Sequence, residues 1–142
     1  MFIKVKDEDV LDALMSKRHD PMLCRIIRWI AKEWGEIVIT ESYRKQRHPN
    51  DLHGVTPVRA TDLRSTIYVK PDLVAEKIND EWQYDLHRPE MKVCVYHAKC
   101  PVCGTNHLPP YRAKCDNCGA DISGQWHFHI QTHANTRRRG AL

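Results

Sequence analysis

Apolar residues recur every three or four positions in two stretches of the chain, which is the spacing of an amphipathic helix. The first stretch covers 21–34, behind an Asp20-Pro21 start signal and before Gly35, so it predicts a helix with both ends defined. A second helix is predicted to begin at Pro71, with an apolar face formed by Val74, Ile78 and Trp82. A shorter helix is predicted over 7–17.

Three further segments have the pattern of β-strands, at 36–40, 92–96 and 125–131. In the last of these the alternation is strict, so apolar side chains share one face and polar side chains share the other. The polar face carries His127, His129 and Gln131. Helices and strands mixed in this way predict an α+β fold.

The composition limits the class of protein without identifying it. A length of 142 residues suits one domain, and 42% hydrophobic with 28% charged residues excludes a disordered or fibrous chain. The net charge of +4 is small, so nucleic acid is not an expected partner, and Arg137–Arg139 predict a solvated basic tail over 134–142. No apolar run approaches the roughly 20 residues that cross a membrane. No secretory signal is visible, which favours the cytoplasm.

Four of the six cysteines form two C-x-x-C-G knuckles with the spacing of a zinc ribbon. The knuckles contain Cys100 with Cys103 and Cys115 with Cys118, within a predicted insertion over 98–120. Four thiolates leave no open coordination position, so this zinc is expected to be structural. Cys24 and Cys94 lie among apolar residues and are predicted to be small core residues.

Histidine and aspartate side chains suggest a second site. A His and an Asp on either side of a short turn, together with a distant His on a strand, are the ligand types of a catalytic zinc with one open position. The chain offers His53 and Asp62 in this arrangement, and the His-x-His strand near its end. His97 precedes the predicted ribbon and is expected either to orient a ligand or to be exposed.

The order of these motifs resembles a known family. A strand with Ser42-x-Arg44, then His53 and Ala60-x-Asp62, a helix, a strand and the closing His-x-His are similar to the zinc peptidase clan of D-alanyl-D-alanine carboxypeptidases, murein endopeptidases and the hedgehog signalling domain. The resemblance covers about 36–131 without the ribbon and is strongest to small phage-encoded members. It implies one peptidase-like domain over 1–142, with a small antiparallel sheet and helices packed on one side.

The resemblance also implies roles for individual residues. His53, Asp62 and His129 would bind the catalytic zinc, and His127 would be the neighbouring base or transition-state stabiliser. Arg44 would contact a substrate carboxylate, and the substrate would be a peptidoglycan peptide cross-link or another peptide. His53 and Asp62 are nine residues apart where the family has seven, so His48 is an alternative first ligand.

Two other functions are consistent with the sequence. The chain could be a non-catalytic phage protein that keeps the fold and contacts other proteins or the virion through the ribbon. It could also be a His-metal phage nuclease, whose site would use the two strand histidines together with His133, Asn135 and the basic tail. The chain ends seven residues after Asn135, which leaves no room for the helix such a nuclease needs. A phage-encoded protein would act in the host cytoplasm or on the virion.

Overall fold

Each helix begins at a residue that suits a helix start. The computed structural model describes residues 1–140 and contains α1 (Glu8–Ser16), α2 (Pro21–Trp34) and α3 (Pro71–Glu81). The Asp7 carboxylate accepts a hydrogen bond from the Val10 amide, and Asp20 and Gly35 define the two ends of α2. Gly35 has a φ of +83°, a left-handed conformation that glycine adopts without strain. The three predicted helices are confirmed, but Trp82, which was predicted on the apolar face of α3, lies in extended backbone just after the helix ends.

The strands form one six-stranded sheet and one short pair. The strands are β1 (Phe2–Val5), β2 (Glu36–Glu41), β3 (Ala60–Arg64), β4 (Trp82–Gln83), β5 (Cys94–Lys99), β6 (Asn106–His107), β7 (His127–Gln131) and β8 (Arg137–Arg138). The large sheet has the order β1-β2-β3-β7-β5-β6, while β4 pairs with β8. The mixture of three helices and a sheet confirms the α+β class.

The prediction of an antiparallel sheet is wrong for the first pair of strands. β1 and β2 run parallel, with Phe2 opposite Glu36, whereas the other pairs in the sheet are antiparallel. Parallel neighbours need a long crossover. α1 and α2 lie between these strands in the chain and provide it.

One face of the sheet and the three helices enclose the hydrophobic core. Leu63, Phe128 and Ile130 are fully buried in this core, together with Ile26 and Ile30 of α2. Because side chains alternate along a strand, this packing leaves the opposite face of β3 and β7 to polar residues. Cys94 is buried as predicted, but Cys24 is exposed and the core prediction for it is wrong, because it lies on the outer side of α2.

The cysteine-rich segment and the basic tail are both attached to the rest of the fold by short strands. β5 extends to Lys99 and pairs with β6, so the cysteine-rich segment leads directly out of the large sheet. Arg137 and Arg138 are exposed but pair with Gln83 and Trp82, so this part of the predicted tail is attached rather than free. Residues 141–142 of that tail lie outside the described residues. Within 1–140, no helix combines the length and apolar character needed to cross a membrane.

Candidate metal centres

Strand pairing brings the predicted site residues together on the polar face of the sheet. Asp62 of β3 lies directly opposite His129 of β7. One step along the same face, His127 lies opposite Arg64 of β3 on one side and His97 of β5 on the other. Asp62 is therefore a mid-strand residue, and the sequence-based placement of it beside a short turn is wrong.

His53 reaches the same site from a short 3-10 turn, Leu52–Gly54. One carboxylate oxygen of Asp51 accepts a hydrogen bond from the His53 amide at 3.1 Å, which fixes the start of the turn. The His53 ring nitrogen Nδ1 lies 2.6 Å from the carbonyl oxygen of Ser42 and donates to it. In the neutral form of this ring the other nitrogen, Nε2, has no proton, and it is directed towards Asp62.

Three side chains converge closely enough to hold one metal ion. The Oδ1 atom of Asp62 lies 3.3 Å from Nε2 of His53 and 3.0 Å from Nδ1 of His129. One ligand atom from each of the three residues lies within 4.8 Å of the other two. The exposed alternative, His48, is not in this cluster.

The surroundings of these atoms fit a metal. His53 is only 1% exposed, and its Nε2 is buried without a hydrogen-bond partner among the described residues. A buried polar atom without a partner is costly, and a cation would remove that cost. Burial alone would raise the pKa of Asp62, but the neighbouring side chains of His129 and His53 lower it well below its ordinary value. The carboxylate is therefore ionised, as a metal ligand must be.

His127 and His97 extend the site along the sheet. Nδ1 of His127 donates to the carbonyl of Gln125 at 2.9 Å, so its Nε2 is free to accept a proton. That Nε2 lies 3.8 Å from the second carboxylate oxygen of Asp62. The His97 ring centre is 4.6 Å from that of His127, and burial is the main cause that lowers the pKa of His97.

Arg44 lies beside the site but contacts protein carboxylates. Its guanidinium donates to Glu41 at 2.6 Å and to both oxygens of Asp51 at 3.3 Å. Asp51 also accepts the hydrogen bond from the His53 amide that fixes the segment Leu52–Gly54. Arg64 is a second arginine near the site, and the sequence analysis gave it no role. It is exposed and lies on the same face of β3 as Asp62, and it forms no ion pair within residues 1–140.

The four predicted ribbon cysteines form the second cluster. Sγ of Cys100 lies 3.5 Å from that of Cys118, and Sγ of Cys103 lies 3.6 Å from that of Cys115. Each knuckle closes with the same backbone hydrogen bond, from the glycine after the second cysteine to the first cysteine, at 3.0 Å and 2.8 Å. Both glycines have a φ of +76°, a conformation that explains the choice of glycine. The grouping of these cysteines is confirmed.

The remaining candidates lie elsewhere. His133 contacts Tyr84 and lies 3.6 Å from Asp85, so it is in neither cluster. His107, for which the sequence offered no role, is buried, with Nε2 3.2 Å from Sγ of Cys115. A cavity of about 930 Å³ lies between α3 and β5 and is lined by Glu76, Met91 and other residues, none of them a ligand in either cluster.

The chain was compared with protein-family models, with curated proteins and with solved structures, and no match was found in any of the three comparisons. Function must therefore be inferred from the two clusters and their surroundings.

Proposed function

We propose that this protein is a zinc-dependent peptidase with a separate structural zinc in its ribbon. The observation that carries the proposal is the convergence of His53, Asp62 and His129, from a loop and two strands, with a buried ring nitrogen that lacks a partner. Two imidazoles and one carboxylate are ligands that zinc prefers, and three protein ligands leave one position for substrate or solvent. Zinc in such a site supplies a Lewis acid and a nucleophile at neutral pH.

His127 is the proposed general base. Its Nδ1 is occupied by the Gln125 carbonyl, so a proton taken from the nucleophile arrives on Nε2. That nitrogen faces Oδ2 of Asp62, whose negative charge stabilises the protonated ring. A positioned base of this kind contributes about 10²–10⁴ to the rate of hydrolysis.

A peptide carboxylate is the proposed anchor of the substrate. The resemblance to murein peptidases supports a peptidoglycan peptide, whose stem peptides carry free carboxylates. We assign the contact to Arg64 rather than to Arg44, because the guanidinium of Arg44 already binds Glu41 and Asp51. Arg64 is exposed on the face that carries Asp62, and an arginine can bind a carboxylate with two hydrogen bonds.

One observation favours a second candidate, a binding protein that uses the ribbon. Val102, Leu108 and Tyr111 of the ribbon are between 51% and 73% exposed. Exposed apolar side chains on a rigid module suit contact with another protein, for example in a virion. This candidate predicts no peptide cleavage and no effect of Arg64 on catalysis.

Zinc stoichiometry tests the proposal directly. Purified protein should contain two zinc ions, and both His129→Ala and Asp62→Ala should contain one. His87→Ala is the matched control, because His87 is exposed and belongs to neither cluster, and it should keep two. Hydrolysis of peptidoglycan stem peptides should be lost in the first two variants and retained in the control. A single zinc in all four proteins would refute the catalytic site.

A further inference from the structure

We propose that β6 couples the ribbon to the histidine site by fixing His97, which makes His97 a positioning residue for His127. This inference deepens the proposed function and rests on it. β6 has only two residues, Asn106 and His107, and it lies between the two cysteine knuckles in the chain. Neighbouring residues of a strand point to opposite faces, so these two can contact different clusters.

Asn106 makes the contact with the histidine site. It pairs with Lys99 across the hairpin, and His97 is its diagonal neighbour on β5. The Asn106 side-chain oxygen accepts a hydrogen bond from Nδ1 of His97 at 2.7 Å. This contact places the proton of a neutral His97 on Nδ1 and leaves Nε2 unprotonated. Nε2 is buried without a hydrogen-bond partner among the described residues.

His107 and the first knuckle make the contact with the cysteine cluster. Nε2 of His107 lies 3.2 Å from Sγ of Cys115. The amide of Cys100 donates to the carbonyl of Thr105, the residue before β6, at 2.9 Å. Both ends of this short strand are therefore held by cluster residues. A metal in the cysteine cluster would hold β6, and with it Asn106, at a defined position.

Fixing His97 affects the histidine site through the contact of His97 with His127. Their rings are 4.6 Å apart and their residues are directly opposite in the sheet. The Asn106 hydrogen bond fixes the ring of His97, and this ring packs against the ring of His127. Without the Asn106 hydrogen bond the His97 ring can rotate or change its tautomer, and the His127 ring loses a fixed neighbour that sets its orientation. The ribbon thus has a role in the chemistry beyond its own folding.

The tautomer of His97 provides a test that does not depend on activity. Long-range ¹H–¹⁵N NMR spectra of the zinc-loaded chain are recorded at about pH 8, where an ordinary imidazole with a pKa near 6.5 is neutral. His97→Gln identifies the His97 signals. We expect a proton on Nδ1 in the wild type and in Lys99→Ala, the matched control at the exposed position opposite Asn106. Asn106→Ala should give a mixture of tautomers.

Two further measurements complete the test. Asn106→Ala should keep both zinc ions and lose about 10–100-fold in kcat with little change in KM, as is usual when the partner of an active-site histidine is removed. Cys115→Ser should lose the ribbon zinc and shift the His97 tautomer in the same way. An unchanged His97 signal in Asn106→Ala or in Cys115→Ser would overturn the coupling. Absence of zinc from the His53 cluster in the wild type would instead refute the proposed function, and the tautomer would still report on the coupling.

Discussion

Asp62 uses its two carboxylate oxygens for different neighbours. Oδ1 contacts both proposed ligand histidines, His53 and His129, while Oδ2 faces His127 at 3.8 Å. A carboxylate that is 7% exposed needs this much compensation, because an isolated buried charge is strongly unfavourable. Two imidazoles and one carboxylate therefore form a group that could hold a cation, and His127 lies beside it.

The two arginines near the site should differ in their effects on activity. Arg64→Ala should raise KM for a peptide with a free carboxylate about 10-fold or more, because a hydrogen bond to a charged group contributes about 1.5–3 kcal/mol. It should leave the zinc content and the free energy of unfolding unchanged. Steady-state kinetics with a free and an amidated peptide measure this effect, because the amidated peptide has no carboxylate for Arg64 to bind.

Arg44→Ala is the matched comparison. Asp51 is 2% exposed, and removal of its guanidinium partner should lower the free energy of unfolding by about 1–3 kcal/mol. It should also weaken zinc binding through the turn that carries His53. A KM effect confined to Arg44→Ala, with none in Arg64→Ala, would restore the original assignment of Arg44 to the substrate.

At the level of elements, the turn Leu52–Gly54 determines the position of His53. A Cβ atom added to Gly54 would lie 2.5 Å from the Cα of Gln46, so the turn or its neighbour must move. Gly54→Ala should therefore weaken zinc binding at the His53 cluster about tenfold or more without loss of the ribbon zinc, because a displaced ligand no longer meets the other two. Competition with a chromophoric chelator measures both sites.

Gly124→Ala is the control for that experiment. A Cβ atom added at Gly124 meets no atom within 4 Å, and its φ is not in the left-handed region. Its zinc affinities should equal those of the wild type. Equal affinities in Gly54→Ala as well would show that the turn adapts without moving His53.

The sequence predicted elements well where the pattern repeats and poorly where it is short. α2 was predicted with its observed bounds, because its apolar spacing and both end signals agree. β3 was missed, since Ala60–Arg64 contains a buried aspartate and no alternation of apolar residues. β1 was missed because Phe2 and Ile3 are exposed on an edge strand. The contact of Asn106 with His97 arises only from the hairpin and leaves no local signal.

At the scale of the whole molecule, the two clusters connect very different lengths of chain. The four cysteines lie within 19 residues, from Cys100 to Cys118, so a metal there stabilises mainly one local segment. The other cluster joins His53 to His129, which are 76 positions apart, through the central strands β3 and β7. A metal in that cluster stabilises the main sheet itself.

The Tm of thermal unfolding should therefore rise when a metal binds to the histidine cluster. Protein that retains only its ribbon zinc is titrated with zinc to about 100 times the dissociation constant of the second site, which adds about 2.7 kcal/mol of stability. For a domain of this size each kcal/mol raises Tm by roughly 2–4 °C, so the expected rise is about 5–11 °C. The rise should be absent in His129→Ala and unchanged in His87→Ala. An equal rise in His129→Ala would mean that the added zinc acts at another place, and His53, Asp62 and His129 would then be a hydrogen-bonded group without a metal.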